Sequence, residues 1–340
     1  MKIFFTVFLG LIFFSLSGQI HSTIIAFGSC DNENKPQEMW PSVVRQKPEL
    51  WIWGGDNIYA DNGDTLNLKE RYNKQKSNPG YQQLLKTCPI TGTWDDHDYG
   101  TNDGGRFWPH RDAAKKMALD FLGIPKNNPV WNHNGIYNSL EIGSGKERIK
   151  IINLDTRYFR DTLIKVYYKP PKTEKKEYRY EINPTGDILG EEQWRWLENE
   201  LTQSDAALNI INSSIQVIAE QHRFEKWANF PMARTRLLQL LAKVNKNVLI
   251  ISGDRHMAEF SKMNVVGLPY PLYDFTSSGI THTWSMKWIE ENKYRVGKLV
   301  IEKTFGLIKV NWQKKKIDIT LQIRGQNDAL YQQQVISFTR

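Results

Sequence analysis

The chain has 340 residues, 40% of them hydrophobic and 24% charged, with a formal net charge of +8. That length holds one large α/β domain or two small ones with a substantial core. Two cysteines exclude a disulfide framework, and the basic balance steers anionic substrates or surfaces toward the protein without specifying which.

Residues 1–20 read as a secretory signal peptide, which leaves residues 21–340 as one domain. Lys2 precedes the apolar run Ile3 to Phe14, and Ser15-Leu16-Ser17 offers a small-x-small cleavage site. The run is short for a membrane span, which leaves an uncleaved anchor as the weaker alternative; no cysteine follows it to accept lipid, and no twin arginine opens it. The expectation is Sec-type export and a secreted or periplasmic mature protein with no stable membrane insertion after cleavage.

Next come strands that each deliver polar residues onto a turn. Thr23 to Phe27 ends at Gly28-Ser29-Cys30-Asp31, and Glu49 to Trp53, after a helix over Met39 to Gln46, ends at Gly54-Gly55-Asp56-Asn57-Ile58-Tyr59. Residues 61–88 read as an insertion with helical patches. A third strand, beginning near Pro89, then reaches Gly-Thr-Trp-Asp-Asp-His-Asp-Tyr-Gly-Thr-Asn-Asp-Gly-Gly, residues 92–105. Asp95, Asp96 and Asp98 would repel one another unless a cation or a histidine sits among them, and hard divalent cations prefer such oxygen ligands.

A helix is expected over Arg111 to Leu122, and a fourth strand, Arg148 to Leu154, ends at Asp155, Arg157 and Arg160. Residues 161–188 read as a surface excursion. A helix to about Leu201 follows, then a fifth strand over Ile210 to Ala219 leading to Glu220-Gln221-His222. A helix over Ala233 to Val244 precedes a sixth strand, Asn247 to Ile251, which ends in Gly253-Asp254-Arg255-His256. Leu307 to Trp312 and Ile317 to Ile323 alternate as a β-hairpin. Helices alternating with strands, closed by antiparallel strands, predict an α/β domain with two sheets packed face to face between helices.

Strand carboxyl ends cluster in α/β sheets, so these turns line one crevice. In their order, Phe27-Gly28-Ser29-Cys30, Gly55-Asp56-Asn57-Ile58-Tyr59, Trp94-Asp95-Asp96-His97-Asp98, Leu154-Asp155-Thr156-Arg157, Phe230-Pro231 and Gly253-Asp254-Arg255-His256 resemble the PhoD-like alkaline phosphatases, a branch of the metallophosphoesterases. The resemblance runs from about residue 23 to the C-terminus. It implies a four-layer α/β/β/α sandwich and hydrolysis of phosphodiesters and phosphomonoesters with bound Fe3+ and Ca2+. It makes Cys30 and Tyr59 ligands of a ferric ion and Asp56 the bridge, with Asp254 and His256 completing the cluster. It also makes Asp96 a ligand, His97 a proton donor that touches substrate, and Asp98 its orienter. Where the family has paired asparagines this chain has Thr101 and Asn102, so only Asn102 is carried over as a ligand. Thiolate and phenolate suit a ferric ion, and carboxylate and amide oxygens suit calcium.

Bound metals would polarise the phosphoryl oxygen and acidify water to yield the attacking hydroxide. Arg157 would grip the phosphate oxygens with its planar fork; a structural pairing with Asp155 is the alternative. Cys30 could instead pair with Cys88. Segments 61–88, 161–188 and 269–288 are expected over the strand ends, where Trp108, Trp131, Trp227 and Trp284 could wall a pocket that favours diesters. The partner is a phosphate ester, and no specific nucleic-acid binding is expected. A metal-stabilised exported protein that binds anionic polymer without hydrolysing it is the rival reading.

Overall fold

The structure, a computed structural model, describes residues 22–60, 63, 65–171, 175–284 and 290–340. The signal-peptide reading lies outside the described residues. Among those described, no helix is long and apolar enough to cross a membrane.

In chain order the strands are β1 (Ser22–Gly28), β2 (Leu50–Gly54), β3 (Ile90–Thr93), β4 (Asn138–Ile142), β5 (Ile149–Asn153), β6 (Ile164–Tyr168), β7 (Glu177–Glu181) and β8 (Leu208–Asn212). They continue with β9 (Val248–Ser252), β10 (Ala258–Met263), β11 (Leu272–Ser277), β12 (Arg295–Val300), β13 (Phe305–Trp312), β14 (Lys316–Arg324) and β15 (Leu330–Thr339). One sheet runs β15-β14-β13-β1-β2-β3 and the other β12-β10-β11-β9-β8-β5-β4, while β6 and β7 form a separate hairpin. The first sheet is parallel along one half, β1 with β2 and β2 with β3, and the second is parallel through its centre, β5 with β8, β8 with β9 and β9 with β11.

The layers follow from alternation along these strands, because successive side chains face opposite ways. Ile25, Phe27, Leu50 and Ile52 meet Ile149, Ile151, Leu208, Ile210, Leu249 and Ile251 between the sheets. Their neighbours Ala26, Trp51 and Trp53 face outward onto Trp40, Val43, Leu68, Tyr72, Tyr81 and Leu84. Ile152, Ile211 and Ile250 face the opposite way onto Trp194, Leu197, Leu201, Leu237 and Leu241. Both faces of β2, β5, β8 and β9 are therefore buried, which is why they read as unbroken apolar runs. The result is the expected α/β/β/α sandwich.

Segment 61–88 helps build the outer layer, through helices Thr65–Ser77 and Pro79–Thr87 that bury Leu68, Tyr72, Tyr81 and Leu84. The surface excursion contains the β6–β7 hairpin. The fifth strand is shorter than its apolar run suggests. Beyond Asn212 the chain leaves the sheet, and the amides of Val217 and Ile218 donate to the buried Asp274 carboxylate at 2.8 and 3.1 Å. A side chain takes the place of a strand partner, so residues 213–219 stay buried without being strand.

Candidate metal centre

Four strand ends build the centre, those of β1, β2, β3 and β9, and three of them do so through strained turns. Past β1, Cys30 has φ +57°; past β2, Gly55 has φ +95° and Asp56 +50°; past β9, Asp254 has +66° and His256 +50°. Left-handed backbone at a non-glycine residue costs about 1 kcal/mol or more, and four such residues at one place mark a geometry that the surroundings impose. The imposing contacts are visible. The Cys30 and Asp31 amides donate to the Gly55 and Asp56 carbonyls at 3.4 and 2.9 Å, and the Gly253 amide donates to the Ser214 carbonyl at 2.9 Å. A Cβ on Gly253 would stand 2.4 Å from Ser29 Oγ, and one on Gly55 would stand 2.6 Å from Asp95 Cβ, so the approach of the turns requires glycine at both positions.

The turns bring three groups of metal-type donors together, each with its donor atoms within 4.8 Å of one another: Cys30, Asp56 and His256; Asp56, Asp96 and His97; and Asp56, Asp95, Asp96 and Asp254. Asp56 belongs to all three. Its Oδ2 also lies 3.2 Å from Cys30 Sγ and 3.4 Å from the Tyr59 hydroxyl. Tyr59 packs its ring 4.1 Å from that of His97. Ser278 Oγ sits 3.0 Å from Cys30 Sγ and accepts the His256 amide at 2.8 Å, tying two donors to the end of β11.

Electrostatically these donors suit a multivalent cation. Burial pushes the Asp56 and Asp254 carboxyls well above the usual range, with neighbouring carboxylates adding to it. Burial likewise raises the Cys30 thiol and Tyr59 phenol, and takes Asp95 to about 7 against the pull of Arg157. Asp96 is held below the ordinary range: burial opposes this, and His97, Arg157 and the Asp103 amide overcome it. Protonation is one way to relieve such a cluster and a cation is the other. Asp95 Oδ2 is buried with no hydrogen-bond partner, which favours the cation. Thiolate, phenolate, imidazole and carboxylate donors in one place fit a transition metal beside a harder ion.

Other expected residues lie elsewhere. Asn102 is exposed, and its amide donates to Asp103 Oδ2 at 2.6 Å instead of joining the buried donors. Asp98 is buried with Oδ1 accepting the Asp95 amide at 2.6 Å and Oδ2 accepting the Asn57 side-chain amide at 2.6 Å. Its oxygens hold the short helix Asp96–Tyr99 to the turn after β2, which positions the loop that carries His97. Arg157 is 0% exposed, which rules out a direct grip on phosphate in this conformation. Its Nε donates to Asp95 Oδ1 at 2.5 Å and its Nη1 to Glu225 Oε2 at 2.6 Å. Asp155 does not pair with the guanidinium; it accepts the Arg157 and Tyr158 amides, each at 2.9 Å.

Cys30 and Cys88 are both free. Trp227 is fully buried and Trp131 packs on the helical layer under Lys126, so neither walls the centre. Trp284 does, 5.4 Å from the His256 ring. The sequence reading passed over His282, whose ring lies 4.5 Å from His256 and 5.0 Å from Tyr59. Its signal was available: Ser277-Ser278-Gly279 after β11 repeats the pattern of a strand running into a glycine turn. Glu225 gave no such signal.

Comparison with known proteins agrees with this geometry. A family model described as PhoD-like phosphatase matches residues 25–287. Alkaline phosphatase D of Bacillus subtilis (strain 168) is 24% identical over 286 residues, covering 71% of this chain and 47% of that protein. The chain thus spans about half the length of that curated relative. The solved structure of PhoD superposes with a TM-score of 0.73 at 18% identity, covering 94% of this chain and 70% of that one, which bears on the fold. With the family model spanning the first three strand-end turns and the Gly253 to His256 turn alike, the chain belongs to the PhoD-like phosphatase family.

Proposed function

We propose that the protein is an exported metal-dependent phosphoesterase that hydrolyses phosphodiesters and, less well, phosphomonoesters. The observation that carries this reading is the convergence of three donor groups on Asp56, with His97 in one of them. Cys30, Asp56, Tyr59, Asp96, Asp254 and His256 would hold Fe3+ with Ca2+, joined by Asp95. When bound, such ions supply Lewis-acid polarisation of the phosphoryl group and acidify water.

The chain's own groups do the rest. The His97 amide donates to Asp96 Oδ1 at 2.9 Å, and the ring is braced against Tyr59. From there it donates a proton to the departing alcohol oxygen as hydroxide adds to phosphorus and the P–O bond breaks. Arg157 favours the ionised form of Asp95 against burial and fixes the position of its carboxylate, acting through that group. Trp284 and His282 line one side of the centre, beside His256 and Tyr59. Hydrolysis of p-nitrophenyl phosphate and bis(p-nitrophenyl) phosphate tests the reading. Turnover should stop on metal removal and return with iron and calcium, and turnover that survives thorough removal would overturn it.

A further inference from the structure

A cavity of about 320 Å³ opens beside the centre, between the loop after helix Asp96–Tyr99 and the β6–β7 hairpin. It is anchored to the metal donors, because the Asp103 amide on its floor donates to Asp96 Oδ2 at 2.7 Å. Tyr180 of β7 donates its hydroxyl to the Asp103 carboxylate and closes the far side. Phe107 and Trp108 form the near wall.

The wall chemistry discriminates among the groups a phosphate ester can carry. A polyol needs free acceptors, but Asp103 already accepts from Tyr180 and Asn102, and Arg160 donates to the Asp103 and Gly104 carbonyls, each at 2.6 Å. A second phosphate needs loose cations, yet Arg106 is held by Asp161 at 2.6 Å and Arg160 by Glu225 at 2.8 Å. Lys165 is the loosely held cation, 3.7 Å from Asp103 and over the Tyr178 ring at 4.3 Å. At the rim Phe107 is 71% exposed with the Arg106 guanidinium 4.9 Å from its ring centre, an apolar ring presented to solvent on which a second flat ring can stack.

We infer that this cavity receives an ester group of the substrate and selects a flat aromatic or heteroaromatic ring there, with Phe107 as the stacking face and Lys165 as the cation on the ring. The inference rests on the phosphodiesterase reading. Ring stacking with one cation–π contact contributes about 1–2 kcal/mol, or roughly five- to thirtyfold in kcat/KM.

The test compares metal-loaded wild type and Phe107→Ala/Lys165→Ala on benzyl methyl phosphate, thymidine 5′-methyl phosphate and cyclohexylmethyl methyl phosphate, with released alcohol measured. Wild type should favour one or both ring esters over the saturated ester by about tenfold, and the variant by less than about twofold. A preference for benzyl alone assigns the cavity to simple aryl groups, and one for thymidine assigns it to nucleotides. Equal rates in wild type, or a preference that survives the double substitution, overturn the inference. Calorimetric binding of benzylphosphonate and cyclohexylmethylphosphonate, whose C–P bonds do not hydrolyse, separates the two claims. Tighter benzylphosphonate binding that the double substitution abolishes, with no ester turned over, keeps the cavity and defeats the phosphodiesterase reading. Equal binding of the two phosphonates defeats the cavity.

Discussion

Replacing Arg157 by methionine distinguishes a buried positioning role from a phosphate grip. In the structure its guanidinium lies between Asp95 and Glu225, whose side chains are 0% and 2% exposed. Removing it strands two buried carboxylates, a loss of about 3–5 kcal/mol where one partner of a buried pair is deleted. Glu225 keeps Arg160 at 2.8 Å, so the lower half of that range is the better expectation. For a chain of this length 1 kcal/mol corresponds to roughly 1.5 °C, so Tm should fall by about 5 °C in metal-loaded protein. Asp95, already pushed up to about 7 by burial, would lose its main counter-charge and titrate higher still. The double variant Arg157→Met/Asp95→Asn should recover part of the lost stability, since the most tightly coupled carboxylate is then gone. Thermal denaturation of the three proteins, with kcat and KM measured alongside, decides the matter. An unchanged Tm with a raised KM alone would show that the guanidinium meets substrate, and the reasoning would be wrong.

Metal-stripped protein should lose stability as pH rises from 5 to 8. Burial raises Asp31 and Asp95 to about 7 and Asp98 to about 8, so the folded state holds protons that the unfolded state releases above about 4. Their contribution is intact below that pH and is lost as pH climbs through 7 to 8, at up to about 1.4 kcal/mol per pH unit per proton. Urea midpoints at pH 5 and 8 should show this slope without metals and a much flatter one with them. Cys30→Ser should remove the charge-transfer absorption of iron-loaded protein with most of the activity, and visible spectra that stay unchanged would remove Cys30 from the ligand set. Gly253→Ala should lower Tm and weaken metal binding together, because its Cβ would press on Ser29 Oγ at 2.4 Å and the Gly54 carbonyl at 3.0 Å beside Asp254.

The donor-type residues legible in the sequence share one local signature, a buried strand that ends abruptly in a polar turn. That signature marks Cys30, Asp56, Asp96, Asp254 and His256, since parallel strands buried on both faces must end where polar residues begin. What lay beyond reach was set by distant partners. The orientation of Arg157 depends on Glu225, and that of Asp98 on Asn57, pairs that no periodicity announces. Trp227 beside a polar turn looked the same as Trp284, yet its indole N–H donates to Ser213 Oγ inside the core at 2.9 Å. Strands β4, β12 and β15 escaped because antiparallel edge strands tolerate mixed sequences such as Arg-Val-Gly-Lys-Leu-Val.

Asp56 is the donor-type residue common to all three groups. The most direct measurement is the metal content of wild-type and Asp56→Asn protein after equilibration with defined iron and calcium and removal of free ions. If Asp56 bridges two ions, at least two ions per wild-type chain are expected and both kinds are lost in the variant, because one carboxylate would serve both sites. Retention of either ion at wild-type stoichiometry in Asp56→Asn would contradict that bridging role.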